Sequence, residues 1–139
     1  MIRRRRAGGD KELHELALFA REARESAYAP FSRFKVGAAV RLAGGKVITG
    51  CNVESASYGL TMCAERVAVF KAVSEGLTRF EAVAVVADSP RLTAPCGACR
   101  QVLWELCGDV PLRIEDLRGR ARTVKMSELL PLPFDARNL

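Results

Sequence analysis

The stretch Phe80-Glu81-Ala82-Val83-Ala84-Val85-Val86-Ala87 is apolar at nearly every position. A strand with one wet face alternates apolar and polar residues. A strand-length run that does not alternate has to be covered on both faces. The chain must therefore supply two layers around this strand, and its flanks show what they are. On the N-terminal side, Ala64, Val67, Ala68, Phe70, Ala72 and Val73 make a buried helix that opens at Cys63 and stops at Ser74-Glu75-Gly76. On the C-terminal side, Val102, Leu103 and Leu106, with Trp104 beside them, make a helix from Cys96 to Cys107 that Gly108-Asp109 halts. Each helix begins at a cysteine.

The rest of the chain fills in around this unit. Asp10 reads as the N-cap of a first helix. Leu13, Leu16, Ala17, Ala20, Ala23 and Ala27 then recur at three- and four-residue steps, one apolar stripe of roughly four to five turns that Pro30 ends. Val36–Leu42 and Lys46–Asn52 read as strands joined by the turn Ala43-Gly44-Gly45, an antiparallel hairpin. Gly37, Ala38 and Ala39 are small, so a helix is expected to pack close on the first of these strands. Residues 52–62 form an irregular loop of a length that is often functional, and residues 88–94 form another. Val110–Ile114 and Arg120–Lys125 read as two further strands around Asp116-Leu117-Arg118-Gly119. Ser127 is expected to cap a short final helix, and Pro131 and Pro133 lead through Phe134 into an extended tail. This order predicts an α/β fold, a three-layer α/β/α arrangement with a mixed five-stranded sheet.

At 139 residues the chain suits one domain, able to bury roughly two thirds of its unfolded surface without disulfides. That domain is expected over residues 10–139, behind a disordered basic tail over 1–9. No apolar run approaches the ~18 residues of a membrane helix. The charged start Met1–Arg6 has no apolar segment behind it, so a cytoplasmic protein is expected, with no secretory signal and no membrane partner. The formal charge is +6, from 22 basic and 16 acidic residues, and Arg3–Arg6 hold four of those charges, leaving +2 without them. A four-arginine tail can touch a polyanion. A basic balance confined to such a tail is no sign of nucleic-acid binding, and no nucleic-acid partner is expected. The five cysteines are Cys51, Cys63, Cys96, Cys99 and Cys107. An odd number in a reducing compartment suits metal binding or burial over a disulfide framework. Cys51 and Cys107 read as small buried apolar groups. His14, the single histidine, lies in the first helix and reads as a surface or interface residue.

Cys63-Ala64-Glu65-Arg66 and Pro95-Cys96-Gly97-Ala98-Cys99-Arg100-Gln101 have to be read together. They offer three sulfur ligands and one carboxylate, and three protein ligands leave one corner of a tetrahedral zinc open to water. Helix N-termini favour the thiolates that zinc requires. Pro95 suits a helix start, and the three-residue step puts Cys96 and Cys99 on one side of the first turn. Three thiolates around a divalent cation leave a net negative charge, which opposes deprotonation of a bound water. The two helix N-termini oppose this, as do Arg66, and Arg100 with it, if they donate hydrogen bonds to the sulfurs. Glu65 is placed to carry protons beside that water and is not expected to be a ligand. Alone, Glu65 is an ordinary first-turn glutamate, and a lone Cys-x-x-Cys suits a structural zinc site equally well. The combination of Cys-x-Glu with a later Pro-Cys-x-x-Cys is the zinc deaminase signature.

On these residues the chain resembles the cytidine deaminases of the small, three-cysteine, homotetrameric type. The resemblance extends through Ala29–Ala39, Gly50-Cys51-Asn52-Val53-Glu54, Lys71–Gly76, Pro95–Leu103 and Glu128–Pro131, and it covers residues 12–139. It implies one Zn2+ per subunit on Cys63, Cys96 and Cys99. It implies that a zinc-held hydroxide attacks C4 of cytidine or 2′-deoxycytidine while Glu65 moves the protons. The products are then uridine or 2′-deoxyuridine and ammonia, in pyrimidine salvage. It further implies that Phe34 stacks on the pyrimidine, that Asn52 and Glu54 hydrogen-bond the ribose hydroxyls, and that the backbone at Ala64 meets the base edge. Family sites lie at subunit interfaces, so Ala56, Tyr58 and Phe134 are expected to reach a neighbour's pocket.

The chemistry is consistent with a nucleoside: an amide and a carboxylate offer a sugar hydroxyl both donor and acceptor, and the carboxylate disfavours a nearby phosphate. Taken one at a time, Phe34 suits a core aromatic, Asn52 and Glu54 suit turn residues, and Tyr58 suits the surface; their joint placement favours binding. Two departures stand out, Ser55 where the family often has a second asparagine and Phe31 where it often has tyrosine. Two other readings stay open. One is a deaminase of another cytosine nucleoside, of the blasticidin S type. The other is a structural zinc module binding RNA through the arginine tail, which needs a fourth ligand from His14, Cys51 or Cys107.

Overall fold

The computed structural model describes residues 9–139. The run Arg3–Arg6, and with it nearly all of the tail expected over 1–9, lies outside the described residues. The chain runs as helix α1 (Asp10–Arg24), strands β1 (Val36–Leu42) and β2 (Val47–Cys51), helix α2 (Ala64–Ser74), strand β3 (Phe80–Ala87), helix α3 (Gly97–Cys107), strands β4 (Pro111–Glu115) and β5 (Ala121–Lys125), and helix α4 (Met126–Leu129). Short 3-10 turns occur at Tyr58–Leu60 and Ala136–Asn138. The strands form one mixed sheet in the order β2-β1-β3-β4-β5. β1 is antiparallel to both β2 and β3, β3 and β4 are parallel, and β5 is antiparallel to β4. A parallel pair needs a crossover, and α3 is that crossover.

The unalternating run is covered as its composition requires. Ala82, Ala84 and Val86 of β3 pack with Leu13, Leu16, Ala17 and Ala20 of α1. Val83, Val85 and Ala87 turn the other way, toward Ala64, Ala68 and Val69 of α2 and Leu103 of α3. α1 on one face and α2, α3 and the short α4 on the other make the three layers. Among the described residues no helix is long and apolar enough to cross a membrane.

Two glycines set how close the layers come. A Cβ on Gly37 would stand 1.8 Å from the Ala20 carbonyl oxygen and 2.6 Å from the Arg24 nitrogen, so α1 rests on the backbone of β1. A Cβ on Gly50 would stand 2.5 Å from the Ala68 nitrogen and 2.7 Å from the Ala64 oxygen, so α2 rests on β2 from the other side. The close helix expected on the first strand is therefore present, and a second close contact seats α2, which carries Glu65.

Four local expectations are corrected. Gly9, not Asp10, is the N-cap of α1. Asp10 lies in the first turn and its Oδ1 accepts from Arg113 Nη1 at 2.6 Å. The helix also stops at Arg24, well before Pro30, because Tyr28 leaves to bridge Val53. The Tyr28 amide donates to the Asn52 carbonyl and the Glu54 amide donates to the Tyr28 carbonyl, each at 2.9 Å, an extended pairing that a helix cannot make. Ser127 does not cap the last helix, which begins at Met126. Its amide and hydroxyl donate to Asp109 at 2.8 and 3.0 Å, so Asp109 supplies the acceptor. The tail is not wholly extended either, since Asp135 accepts from the Arg137 amide at 2.9 Å and closes the final 3-10 turn.

Candidate active site

The two cysteine-bearing helix starts meet at one end of the sheet. Cys63 is the N-cap of α2 and Cys96 the N-cap of α3, both with extended backbone and neither with a side-chain capping bond. Cys99 lies in the first turn of α3. Cys63 Sγ and Cys96 Sγ are 3.8 Å apart, and all three sulfurs lie within 4.8 Å of one another. Zinc–sulfur bonds of about 2.3 Å at tetrahedral angles put two sulfurs about 3.8 Å apart. The donor set and its spacing therefore fit zinc. Among the described residues no further histidine, cysteine or carboxylate ligand atom joins the group. His14 is engaged on the α1 layer, 2.8 Å from Glu115, and Cys51 and Cys107 are half-buried elsewhere. Burial pushes the Cys107 thiol up to about 12.

The electrostatics suit metal ligation. The Cys63 thiol is brought down to about 5, first by a hydrogen bond from Cys99 and then, against the cost of burial, by Arg66 and Cys96. Cys99 is pushed up by that same hydrogen bond and by burial. Metal binding would displace the proton that the two sulfurs share. Arg66 Nη2 donates to Cys63 Sγ at 3.4 Å, and this contact holds the guanidinium firmly charged. Arg66 Nε is buried with no hydrogen-bond partner among the described residues. Arg100 does not join it at the sulfurs: its Nε donates to the Pro95 carbonyl at 2.7 Å and its Nη1 to the Leu129 carbonyl at 3.1 Å. It ties down the residue before Cys96 instead. Glu65, 4% exposed, has its carboxyl pushed above the ordinary range, chiefly by burial and further by the Cys63 charge.

A cleft of ≈ 250 Å³ opens beside the sulfurs. Its walls bring together Cys63, Ala64, Glu65, Cys96, Phe34, Asn52 and Glu54, residues drawn from four separate stretches of chain. Phe34 lines this cleft and is 36% exposed, so it is not a core aromatic. Asn52 is buried and already engaged, accepting from the Val36 amide and donating to the Phe34 carbonyl, both at 2.8 Å. Glu54 accepts from the amides of Phe31 and Ser32 at 3.0 Å and from the Ser32 hydroxyl. The Ser32 hydroxyl is the main reason its carboxyl lies below the ordinary range. Asn52 and Glu54 thus shape the loop that presents Phe34. That loop needs holding, because Arg33 within it takes a left-handed φ of 57°.

Ala56, Tyr58 and Phe134 do not line this chain's own cleft. Tyr58 is 77% and Phe134 60% exposed. The Tyr58 ring meets Phe31 edge-on at 6.3 Å, in an adjoining hollow of ≈ 350 Å³ that shares Ser32, Glu54 and Thr61 with the cleft. The Phe134 carbonyl accepts from Gln101 Nε2 at 2.8 Å. The cleft also has walls that sequence reading missed, Ser32, Val36, Thr61, Val85 and, nearest the ligand helix, Thr93 and Ala94. The signal for the last two was their place just before Pro95-Cys96. For Val85 it was the strand period, which aims it at the face that carries α2 and α3.

A sequence profile described as the cytidine and deoxycytidylate deaminase zinc-binding region matches residues 10–111. The chain is 54% identical over 119 residues to a cytidine deaminase of Halalkalibacterium halodurans, spanning 85% of this chain and 90% of that one. It is 44% identical to a cytidine deaminase of Sporosarcina psychrophila, spanning 92% and 95%. Its fold matches the crystal structure of a cytidine deaminase from Burkholderia pseudomallei with a TM-score of 0.85 at 48% identity, over 87% of this chain and 98% of that one.

Proposed function

The chain belongs to the cytidine and deoxycytidylate deaminase family, and from that premise we propose that it hydrolyses cytidine and 2′-deoxycytidine to uridine and 2′-deoxyuridine with release of ammonia. The observation that carries this reading is a cluster of three sulfurs, two of whose cysteines line one small cleft together with a buried carboxylate. Cys63, Cys96 and Cys99 hold one zinc ion per subunit. When bound, zinc supplies Lewis-acid activation of a water at its open position.

The protein's own groups do the rest. Glu65 takes a proton from the attacking water, passes it to the ring nitrogen N3, and carries a second proton to the departing amine. A carboxyl pushed upward by burial suits a group that must both accept and release at neutral pH. Phe34 stacks on the pyrimidine, and the backbone at Ala64 meets its polar edge. Asn52 retains one free amide hydrogen, and Glu54 retains acceptor capacity, for the sugar hydroxyls. The charge of Glu54 also turns away phosphate, which selects a free nucleoside. Ala56, Tyr58 and Phe134, exposed here, complete a neighbour's cleft in a homotetramer. Residues 10–139 act as one catalytic domain, in the cytoplasm, in pyrimidine salvage.

The zinc-loaded protein is expected to consume cytidine, seen as lost ultraviolet absorbance, with an equal amount of ammonia released, and to leave cytidine monophosphate intact. An unchanged cytidine spectrum would refute the reading. Preferential turnover of blasticidin S in direct competition would move the assignment to that nucleoside.

Arg66→Gln tests the cation at the sulfurs. It keeps a donor but removes the charge, and it is expected to lower activity or zinc affinity by about 10–100-fold, with an unaltered circular dichroism spectrum. A wild-type pH–rate profile together with wild-type zinc affinity would remove Arg66 from the centre.

A further inference from the structure

Strand β4 ends at Glu115 and β5 begins at Ala121, and the turn between them holds a buried acid. Asp116 is 2% exposed. Its Oδ1 accepts from the amides of Arg118 and Arg120 at 2.8 and 3.0 Å, and its Oδ2 accepts from Arg120 Nε. Closing the hairpin needs no more than the two amide bonds. The guanidinium of Arg120, however, continues out of the turn. Its Nη1 donates to the Pro90 carbonyl at 2.8 Å and its Nη2 to the Ser89 carbonyl at 2.9 Å.

Those carbonyls belong to the segment that leads from β3 to the α3 ligands. Residues 89–95 have no regular structure. Among the described residues, no backbone–backbone hydrogen bond outside the helices and strands involves them. Three kinds of contact hold them instead: the Arg120 fork at Ser89 and Pro90, the apolar packing of Leu92 and Ala94 on the core, and the Arg100 bond to Pro95. Between the fork and Pro95 sit Thr93 and Ala94, which line the cleft.

We propose that Asp116 and Arg120 form a clamp that positions the Thr93–Ala94 wall of the cleft for substrate, which makes Arg120 a positioning residue. This rests on the reading of the cleft as the nucleoside site. The work is divided between two arginines. Arg100 fixes the residue next to Cys96 and so guards the metal ligands. Arg120 fixes the far end of the segment and so guards the wall. Arginine suits this task because its planar fork serves three acceptors in a fixed geometry, which a lysine cannot. Losing the fork therefore weakens substrate binding and spares the zinc centre.

The test compares zinc-loaded wild type, Arg120→Ala and Arg120→Lys for KM, kcat, zinc content and backbone order by nitrogen-15 relaxation over residues 88–95. In Arg120→Ala the KM for cytidine is expected to rise about tenfold, the scale of one charge-assisted hydrogen bond, with kcat and zinc content retained. Arg120→Lys keeps the charge but not the fork and falls between the two; it carries the test if the alanine variant does not fold. Backbone order parameters are expected to fall over 88–95 and in the 116–120 turn, and not elsewhere. An unchanged KM in both variants overturns the clamp, and so does a joint loss of kcat and zinc. If wild type leaves cytidine unchanged, the proposed function fails, and the relaxation pattern decides the clamp by itself.

Discussion

Replacing Glu65 by Gln is expected to lower kcat for cytidine by about 10²–10⁴-fold, with zinc still bound. Glutamine keeps the size and a hydrogen bond but cannot take a proton. The carboxylate stands outside the sulfur group, so the ligand set is untouched and zinc content should equal that of wild type. The same substitution removes a buried ionisable group. Because burial raises the Glu65 carboxyl above its usual 4.5, the metal-free fold favours the protonated form. That stability is fully present below the unfolded value and is lost as pH rises through the folded one. Metal-free wild type should therefore lose stability relative to Glu65→Gln as pH rises above 4.5, which denaturation midpoints across pH would measure. Equal turnover by the two zinc-loaded proteins would end the role of Glu65 as proton carrier.

Gly37→Ala is expected to destabilise the fold by about 3 kcal/mol or more, a fall in melting temperature on the order of 10 °C. The new Cβ would meet the Ala20 carbonyl oxygen at 1.8 Å, the Arg24 nitrogen at 2.6 Å and the Ala20 carbonyl carbon at 2.9 Å. All three are backbone atoms, so no rotamer change relieves the contact. α1 would have to lift from the sheet, unpacking Leu13, Leu16, Ala17 and Ala20, each at most 2% exposed. Gly37 is needed for this close approach and not for an unusual φ. Urea denaturation followed by fluorescence would give the size of the loss, and a shift below about 1 kcal/mol would show that α1 can ride higher on β1 than its packing implies.

Local pattern carried the element order. The unalternating run coincides with β3, and the small residues of β1 foretold a helix in contact with its backbone. The errors sit where a distant group competes with a local preference. α1 stops early because Tyr28 pairs with Val53, and Ser127 lies inside its helix because Asp109 supplies the acceptor. In the site, the cysteines and Glu65 were legible because thiolate and carboxylate chemistry belongs to the side chain itself. The engagements of Asn52, Glu54, Arg100 and Arg120 were not legible, because most of their partners are backbone amides and carbonyls. Every residue carries those groups, so a sequence does not mark which ones will be used.

By itself, the sequence determined the layered α/β order, the double cover of β3, and a donor set of three thiols and an acid at helix starts. These follow from periodicity and functional-group chemistry, which act over a few residues. The tertiary structure alone decided that the Cys63 and Cys96 sulfurs stand 3.8 Å apart and that all three sulfurs lie within 4.8 Å of one another. It alone turned Phe34 into the cleft and sent Arg100 and Arg120 to the segment that carries its far wall. Such distances depend on how closely whole layers approach, here set by contacts of helix backbone with Gly37 and Gly50, and no local pattern encodes them.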